Sequence, residues 1–238
     1  MTTDCLSADD IAMIPDHSSS AVIVSDFDGT LTRHDVYQLI AERLLPAATP
    51  DYWSEYRAGR TTHFEALRGY FAAARGGEAE LDRLLDDVDL EPNLPGLLSR
   101  LRAGGWDVVV VSAGCRWYID RVLKRANVDL EVHANPGRID PSGHLVMDLP
   151  DGSPYFSREY GIDKAAVVRA IKNVGKWVAF AGDGPPEASP DTGIEADVHP
   201  DEDPDEDSDA RSDEGFEPES VCTAQSVTTG TIAIARKA

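Results

Sequence analysis

Residues 21–32 read Ala21-Val22-Ile23-Val24-Ser25-Asp26-Phe27-Asp28-Gly29-Thr30-Leu31-Thr32. The first five residues form a short, β-branched, unalternated run, the signature of a strand buried on both faces of a parallel sheet. A polar, glycine-containing turn follows, so Asp26 and Asp28 leave the carboxyl end of that strand. Ligands bind at that end in open α/β sheets.

The pattern recurs downstream. Asp107–Val111 is a second apolar run and ends in Ser112-Ala113-Gly114; Trp177–Ala181 is another and ends in Gly182-Asp183-Gly184. Between them, Leu97, Leu98 and Leu101 mark a helix stopped by Gly104-Gly105, and Ile119, Val122, Leu123 and Ala126 mark one face of the next. Leu130–His133 reads as a third strand. Arg138–Asp148 reads as a hairpin turning at Pro141-Ser142-Gly143. Asp163–Ile171 reads as a helix with Asp163 as its N-cap. Strands alternating with helices predict an α/β, Rossmann-like fold built on a parallel sheet.

Residues 35–91 break the alternation. They lack β-branched runs, carry helical apolar spacings such as Leu81, Leu84, Leu85 and Val88, and are cut by Pro46, Pro50 and Gly76-Gly77. They read as a small inserted helical cap. The expected organisation is a disordered N-terminus over 1–20, a core over 21–34 and 92–198, the cap over 35–91, and an acidic, mostly disordered tail over 199–238. Within that tail, Ser226–Ala235 is β-branched enough for an edge strand.

Composition narrows the function. Hydrophobic residues are 42% of the 238, enough for a packed core, and the net charge is −21. Residues 1–183 carry 28 acids and 19 bases; residues 184–219 carry 15 acids and one base. The acidity therefore concentrates late in the chain, where it reads as a solvating extension. Such charge argues against nucleic-acid and anionic-membrane partners. The apolar runs are strand-sized, and residues 1–20 lack the basic start and apolar stretch of a secretory signal. Cys5, Cys115 and Cys222 have no disulfide or metal spacing, which fits a cytoplasmic location. Cys115 reads as a packing residue and Arg57 and Arg60 as surface charge; His34, His63, His133 and His144 show no zinc spacing.

The strand ends gather Asp26, Asp28, Ser112 and Asp183 at one edge, and Lys164 joins from a helix start. Clustered carboxylates repel one another and need a cation; oxygen ligands beside a phosphate favour Mg2+. With the phosphate charge neutralised, a carboxylate can attack phosphorus. Ser112 and the main-chain N–H groups of Phe27, Asp28, Ala113 and Gly114 can cradle phosphate oxygens. A carboxyl group two residues from the nucleophile can protonate the leaving alcohol.

Asp26-Phe27-Asp28-Gly29-Thr30-Leu31-Thr32 resembles the first motif of the haloacid dehalogenase-like phosphatases. Val111-Ser112-Ala113-Gly114 resembles their second motif, Lys164 their third, and Gly182-Asp183-Gly184-Pro185-Pro186-Glu187 their fourth. The resemblance implies Asp26 as nucleophile and Asp28 as general acid and base. It implies Mg2+ held by the carboxylates of Asp26 and Asp183 and the main-chain carbonyl of Asp28, and phosphate held by Ser112, Ala113, Gly114 and Lys164. Glu187 stands where the family usually has a second Asp and remains a metal candidate. The cap resembles that of the phosphoserine phosphatase-like branch. Within it, Thr32-x-x-Asp35, Trp53, Tyr56 and the Asn135 region resemble the 2-hydroxy-3-keto-5-methylthiopentenyl-1-phosphate phosphatases, with Asp35 as substrate reader.

The expected activity is Mg2+-dependent hydrolysis of a small phosphorylated metabolite through an aspartyl phosphate. Phosphotransfer on the same scaffold and phosphometabolite binding without turnover stand as alternatives. No residue pattern names the metabolite or an oligomeric state.

Overall fold

A computed structural model describes residues 20–182 and the backbone of Thr231–Ala235. In chain order, β1 is Ala21–Ser25; the helices α1 (Val36–Arg43), α2 (Tyr52–Arg57), α3 (His63–Ala73) and α4 (Gly77–Leu84) follow, then a single 3-10 turn, Leu85–Asp87. Next come α5 (Leu94–Ala103), β2 (Trp106–Cys115), α6 (Arg116–Arg125), β3 (Glu131–Asn135), β4 (Gly137–Ile139) and β5 (Leu145–Met147). Two short strands, β6 (Phe156–Ser157) and β7 (Gly161–Ile162), precede α7 (Lys164–Asn173), β8 (Trp177–Gly182) and β9 (Thr231–Ala235).

The main sheet has the order β3-β2-β1-β8-β9. The first four strands are parallel, and β9 runs antiparallel against β8 at the edge. This is the α/β architecture that the alternation predicts, and β9 lies inside the stretch read as an edge strand. The hairpin expected over 138–148 is the β4–β5 pair.

Side-chain alternation explains the layering. Val22, Val24, Val109 and Val111 point to one face, where Val167, Val168 and Ile171 of α7 cover them. Val108 and Val110 point to the other, against Leu94 and Leu98 of α5 and Ile119, Val122 and Leu123 of α6. Burying each such side chain contributes roughly 1.5–3 kcal/mol. That second apolar cluster runs without a break into the inserted helices, through Val36, Leu39, Phe64, Phe71, Leu81 and Leu84. The chain leaves the core and returns to it side by side: Arg33 N–H donates to Asp89 O (3.0 Å), Glu91 N–H to Leu31 O (2.9 Å), and Thr32 bridges Leu90.

Two details differ from the local reading. The apolar run ends the second strand at Val111, yet β2 continues to Cys115 with a break in register against β3 between Val111 and Cys115. The break lets Ser112–Gly114 bend while both ends stay paired. The β6–β7 hairpin has no counterpart in the sequence reading: two strands of two residues are too short for any periodicity.

Candidate active site

Register places the site. Ser25, the last residue of β1, pairs with Val110 on one side and with Ala181 on the other, so the ends of β1 and β8 lie level with the point just before β2 bends at Ser112–Gly114. Asp26 N–H continues the ladder by donating to Ala181 O (2.8 Å). Asp26 is then the first residue beyond the sheet, and Phe27 N–H donates back to Asp26 Oδ1 (2.7 Å). Phe27 itself is fully buried and anchors the turn below the site.

Lys164 opens α7 behind Asp163, whose carboxylate caps the helix by accepting from Ala166 N–H (2.9 Å). From that position Lys164 Nζ donates to Asp26 Oδ2. The pair spans 138 residues of sequence, and the side chains are 26% and 14% exposed, so water screens the contact only in part.

Asp28 sits deeper. Val36 N–H, at the start of α1, donates to Asp28 Oδ1 (3.0 Å), and Tyr118 Oη donates to Asp28 Oδ2 (2.6 Å). Burial pushes the Asp28 carboxyl up to about 7, against the lowering effect of those two hydrogen bonds; the neighbouring negative charges of Asp35 and Asp26 push it the same way as burial. A carboxylic acid that titrates near neutrality can both give and take a proton.

The Ser112–Gly114 bend crosses over this pair. Ser112 is buried, and its Oγ accepts from Gly114 N–H (2.9 Å). A side chain at Gly114 would strike Tyr118 Oη at 1.9 Å and approach Asp28 Oδ2 to 3.0 Å, so this backbone passes directly by the acid. Asn135, fully buried at the end of β3, ties the bend down: its Nδ2 donates to Ala113 O (2.7 Å) and to Tyr160 O (3.0 Å). Gly161, at φ +82°, leaves room for that side chain; a Cβ there would lie 1.8 Å from Asn135 Oδ1.

The structure therefore brings Asp26, Asp28, Lys164 and the 112–114 bend to one edge of the sheet. Asp35 is the residue before α1 and accepts from Gln38 Nε2 (3.1 Å); its charge is felt at Asp28. Asp183 and Glu187 lie outside the described residues. Among the described residues, no group of three His, Cys, Asp or Glu could hold a metal by itself. Cys115 is a buried free thiol, pushed by burial up to about 12, which leaves it inert. Arg57 reaches Asp51, and Arg60 is bidentate on Glu55, as surface charges are.

Tyr118 and His63 carry no sequence signal for the site. Tyr118 lies on the apolar face of α6 and reads as core. His63 begins α3, where Glu159 takes both its N–H (3.2 Å, Oε1) and that of Phe64 (2.9 Å, main-chain O). Burial and the nearby Lys164 charge hold the His63 imidazole down at about 4, so it is neutral at pH 7.

Comparison with known proteins agrees with this fold. The haloacid dehalogenase-like hydrolase family model matches residues 23–186, and the chain belongs to that family. A phosphoserine phosphatase of Idiomarina loihiensis is 29% identical over 116 residues, 48% of this chain and 53% of that protein, so the match spans about half of the curated relative. Among solved structures, a haloacid dehalogenase family hydrolase from Salmonella enterica serovar Typhi superposes with a TM-score of 0.51 at 18% identity, over 69% of this chain and 54% of that one. A phosphoserine phosphohydrolase-like protein from Francisella tularensis gives 0.50 at 19% identity, over 69% and 78%. These two likenesses concern the fold.

Proposed function

We propose that this chain is a phosphatase that hydrolyses a phosphate monoester of a small metabolite through an aspartyl phosphate on Asp26. The observation that carries the reading is the ammonium group of Lys164 on the Asp26 carboxylate, two residues from a carboxyl group that titrates near 7. In the first step a carboxylate oxygen of Asp26 attacks phosphorus and the ester P–O bond breaks; Asp28 gives its proton to the departing alkoxide. In the second, Asp28 takes a proton from water as that water attacks the phosphorus of the acyl phosphate, which frees Asp26 and inorganic phosphate. Lys164, Ser112 and the main-chain N–H groups of the 112–114 bend hold the phosphate oxygens. The related phosphoserine phosphatase supports a small phosphorylated substrate.

The oxygen donors at the end of β1, the Asp26 carboxylate and the Asp28 carbonyl, suit Mg2+. They are too few to hold it alone, and in our reading Asp183, next in sequence after the last residue of β8, completes the set, with Glu187 as a further candidate. Bound there, Mg2+ would offset the negative charge of phosphate and carboxylate as they approach.

The finer assignment, to enzymes like the 2-hydroxy-3-keto-5-methylthiopentenyl-1-phosphate phosphatases, rests on Asp35, Trp53, Tyr56 and Asn135. A cytoplasmic location goes with the buried free thiol of Cys115, and no described helix is long and apolar enough to cross a membrane.

The test is phosphate release from p-nitrophenyl phosphate by the purified protein, with Mg2+ and with EDTA. Asp26→Asn should lower turnover by at least about a thousandfold at unchanged melting temperature. Full activity in that variant, or in EDTA, would refute the reading.

A further inference from the structure

One buried amide joins two segments of the site. Asn135 is 0% exposed, and its Nδ2 donates to Ala113 O (2.7 Å) in the bend of β2 and to Tyr160 O (3.0 Å) in the β6–β7 hairpin. Both neighbours are acceptors, so the nitrogen and not the oxygen must face them. The amide oxygen stays buried without a hydrogen-bond partner among the described residues. Such an orphan costs stability, and an apolar side chain of similar size would fill the space without it. What Asn135 adds is its pair of donor bonds.

The bond to Ala113 O sets a direction. The Ala113 carbonyl and the Gly114 N–H belong to one trans peptide unit, so they point opposite ways. With the carbonyl held by Asn135, the Gly114 N–H is turned to the other side, where it donates to Ser112 Oγ (2.9 Å). The sheet does not hold this peptide: pairing with β1 stops at Val110, and pairing with β3 is interrupted between Val111 and Cys115. A Cβ at Gly114 would lie 1.9 Å from Tyr118 Oη, so the position takes glycine, and glycine accepts φ of either sign. The peptide is therefore free to turn over unless its carbonyl is tied. Turned over, it would aim a carbonyl dipole where an anion needs an N–H. The bond to Tyr160 O acts on the Lys164 side. Lys164 follows Tyr160 by four residues, through the buried Ile162 and through Asp163, whose N–H donates to Tyr155 O (2.8 Å).

We propose that Asn135 is a positioning residue for phosphate: it keeps the Gly114 N–H turned toward the bound anion and holds that peptide in step with the Lys164 ammonium group. The inference rests on the phosphatase reading for the position of the phosphate. It adds the group that orients the cradle.

Tungstate, a phosphate-shaped dianion that is not turned over, tests this by isothermal titration calorimetry in Mg2+. Asn135→Leu keeps the number of side-chain heavy atoms and removes both donors. It should bind tungstate at least about tenfold more weakly than the wild type, the scale of one charge-assisted hydrogen bond. Leu98→Ala, a cavity behind the sheet, should lower the melting temperature and leave tungstate affinity within about twofold. The Gly114 amide resonance in 15N–1H spectra should move on tungstate addition in the wild type and stay in place in Asn135→Leu. Should Asn135→Leu lose its circular-dichroism melt, Asn135→Ala takes its place. Wild-type affinity in the Asn135 variant, equal weakening in Leu98→Ala, a Gly114 resonance that responds alike in both proteins, or no binding by the wild type would overturn the inference. Turnover of p-nitrophenyl phosphate by the wild type, scored separately, tells whether the phosphatase reading stands.

Discussion

Tyr118 Oη donates a 2.6 Å hydrogen bond to Asp28 Oδ2, joining two residues 90 positions apart in a site otherwise built from strand ends and the start of α7. Tyr118 is 1% exposed, its ring held between Phe27 (6.1 Å) and Phe71 (6.0 Å), so the hydroxyl has one place to be. The bond favours ionised Asp28 and fixes the direction of its other oxygen.

Tyr118→Phe removes that donor and leaves a buried carboxyl oxygen unpaired. We expect a loss of about 1–3 kcal/mol in urea unfolding. We also expect kcat to fall at least about tenfold with KM within about twofold, because the acid loses its aim while the phosphate cradle stays intact. Unchanged kcat would mean that the hydroxyl serves packing alone.

Lys164→Met keeps the length and apolar stem of the side chain and removes the charge beside Asp26. Turnover should drop by about a hundredfold or more, the scale seen when one electrostatic contact to a transferring group is removed. Added ammonium or short alkylamines should restore part of it. Steady-state kinetics with and without the amine provide the measurement.

Asn135→Asp replaces a donor facing two carbonyl oxygens with an acceptor. Both clamps, to Ala113 and Tyr160, are lost, and the new contacts repel. Destabilisation of about 2–4 kcal/mol should follow. Gly161→Ala should act on the same clamp from the other side, through its positive φ and its contact with Asn135 Oδ1. The double variant should cost less than the sum of the two, which a double-mutant cycle measures.

His63 titrates at about 4 in the folded chain, against 6.5 for an imidazole free in water. The unfolded chain therefore takes up a proton at His63 before the folded one does. The stability tied to its neutrality is fully present above pH 6.5 and is lost as pH falls through about 4. His63→Phe should narrow the drop in melting temperature between about pH 7 and about pH 4.5. Equal drops in both proteins would show that His63 has no part in the acid sensitivity.

The fold and half of the site are legible in the sequence because they are local. Val22–Val24, Val108–Val111 and Val178–Phe180 announce strands by composition, and Asp26, Ser112 and Lys164 follow an apolar strand, a second strand and a capping Asp163. A reader needs only neighbouring residues to place each at an edge where ligands bind. The bend at Ser112–Gly114 inside a continuing strand, and the β6–β7 hairpin, are not legible. A register break and a two-residue pair depend on which strand lies alongside, and that is not written in the stretch itself.

By itself, then, the chain's sequence determines a parallel α/β core, an inserted helical segment and an acidic residue at the first strand's end, since apolar periodicity and turn chemistry act over a few residues. The tertiary structure alone decides that Tyr118 serves Asp28, that Asn135 joins the Ala113 bend to the Tyr160 hairpin, and that the rings of Tyr37, Trp53, Tyr56, His63 and Tyr160 meet one another. A buried tyrosine or asparagine has the same local pattern whether it fills space or aims a neighbour. The difference is a hydrogen-bond partner dozens of residues away, and only folding supplies that.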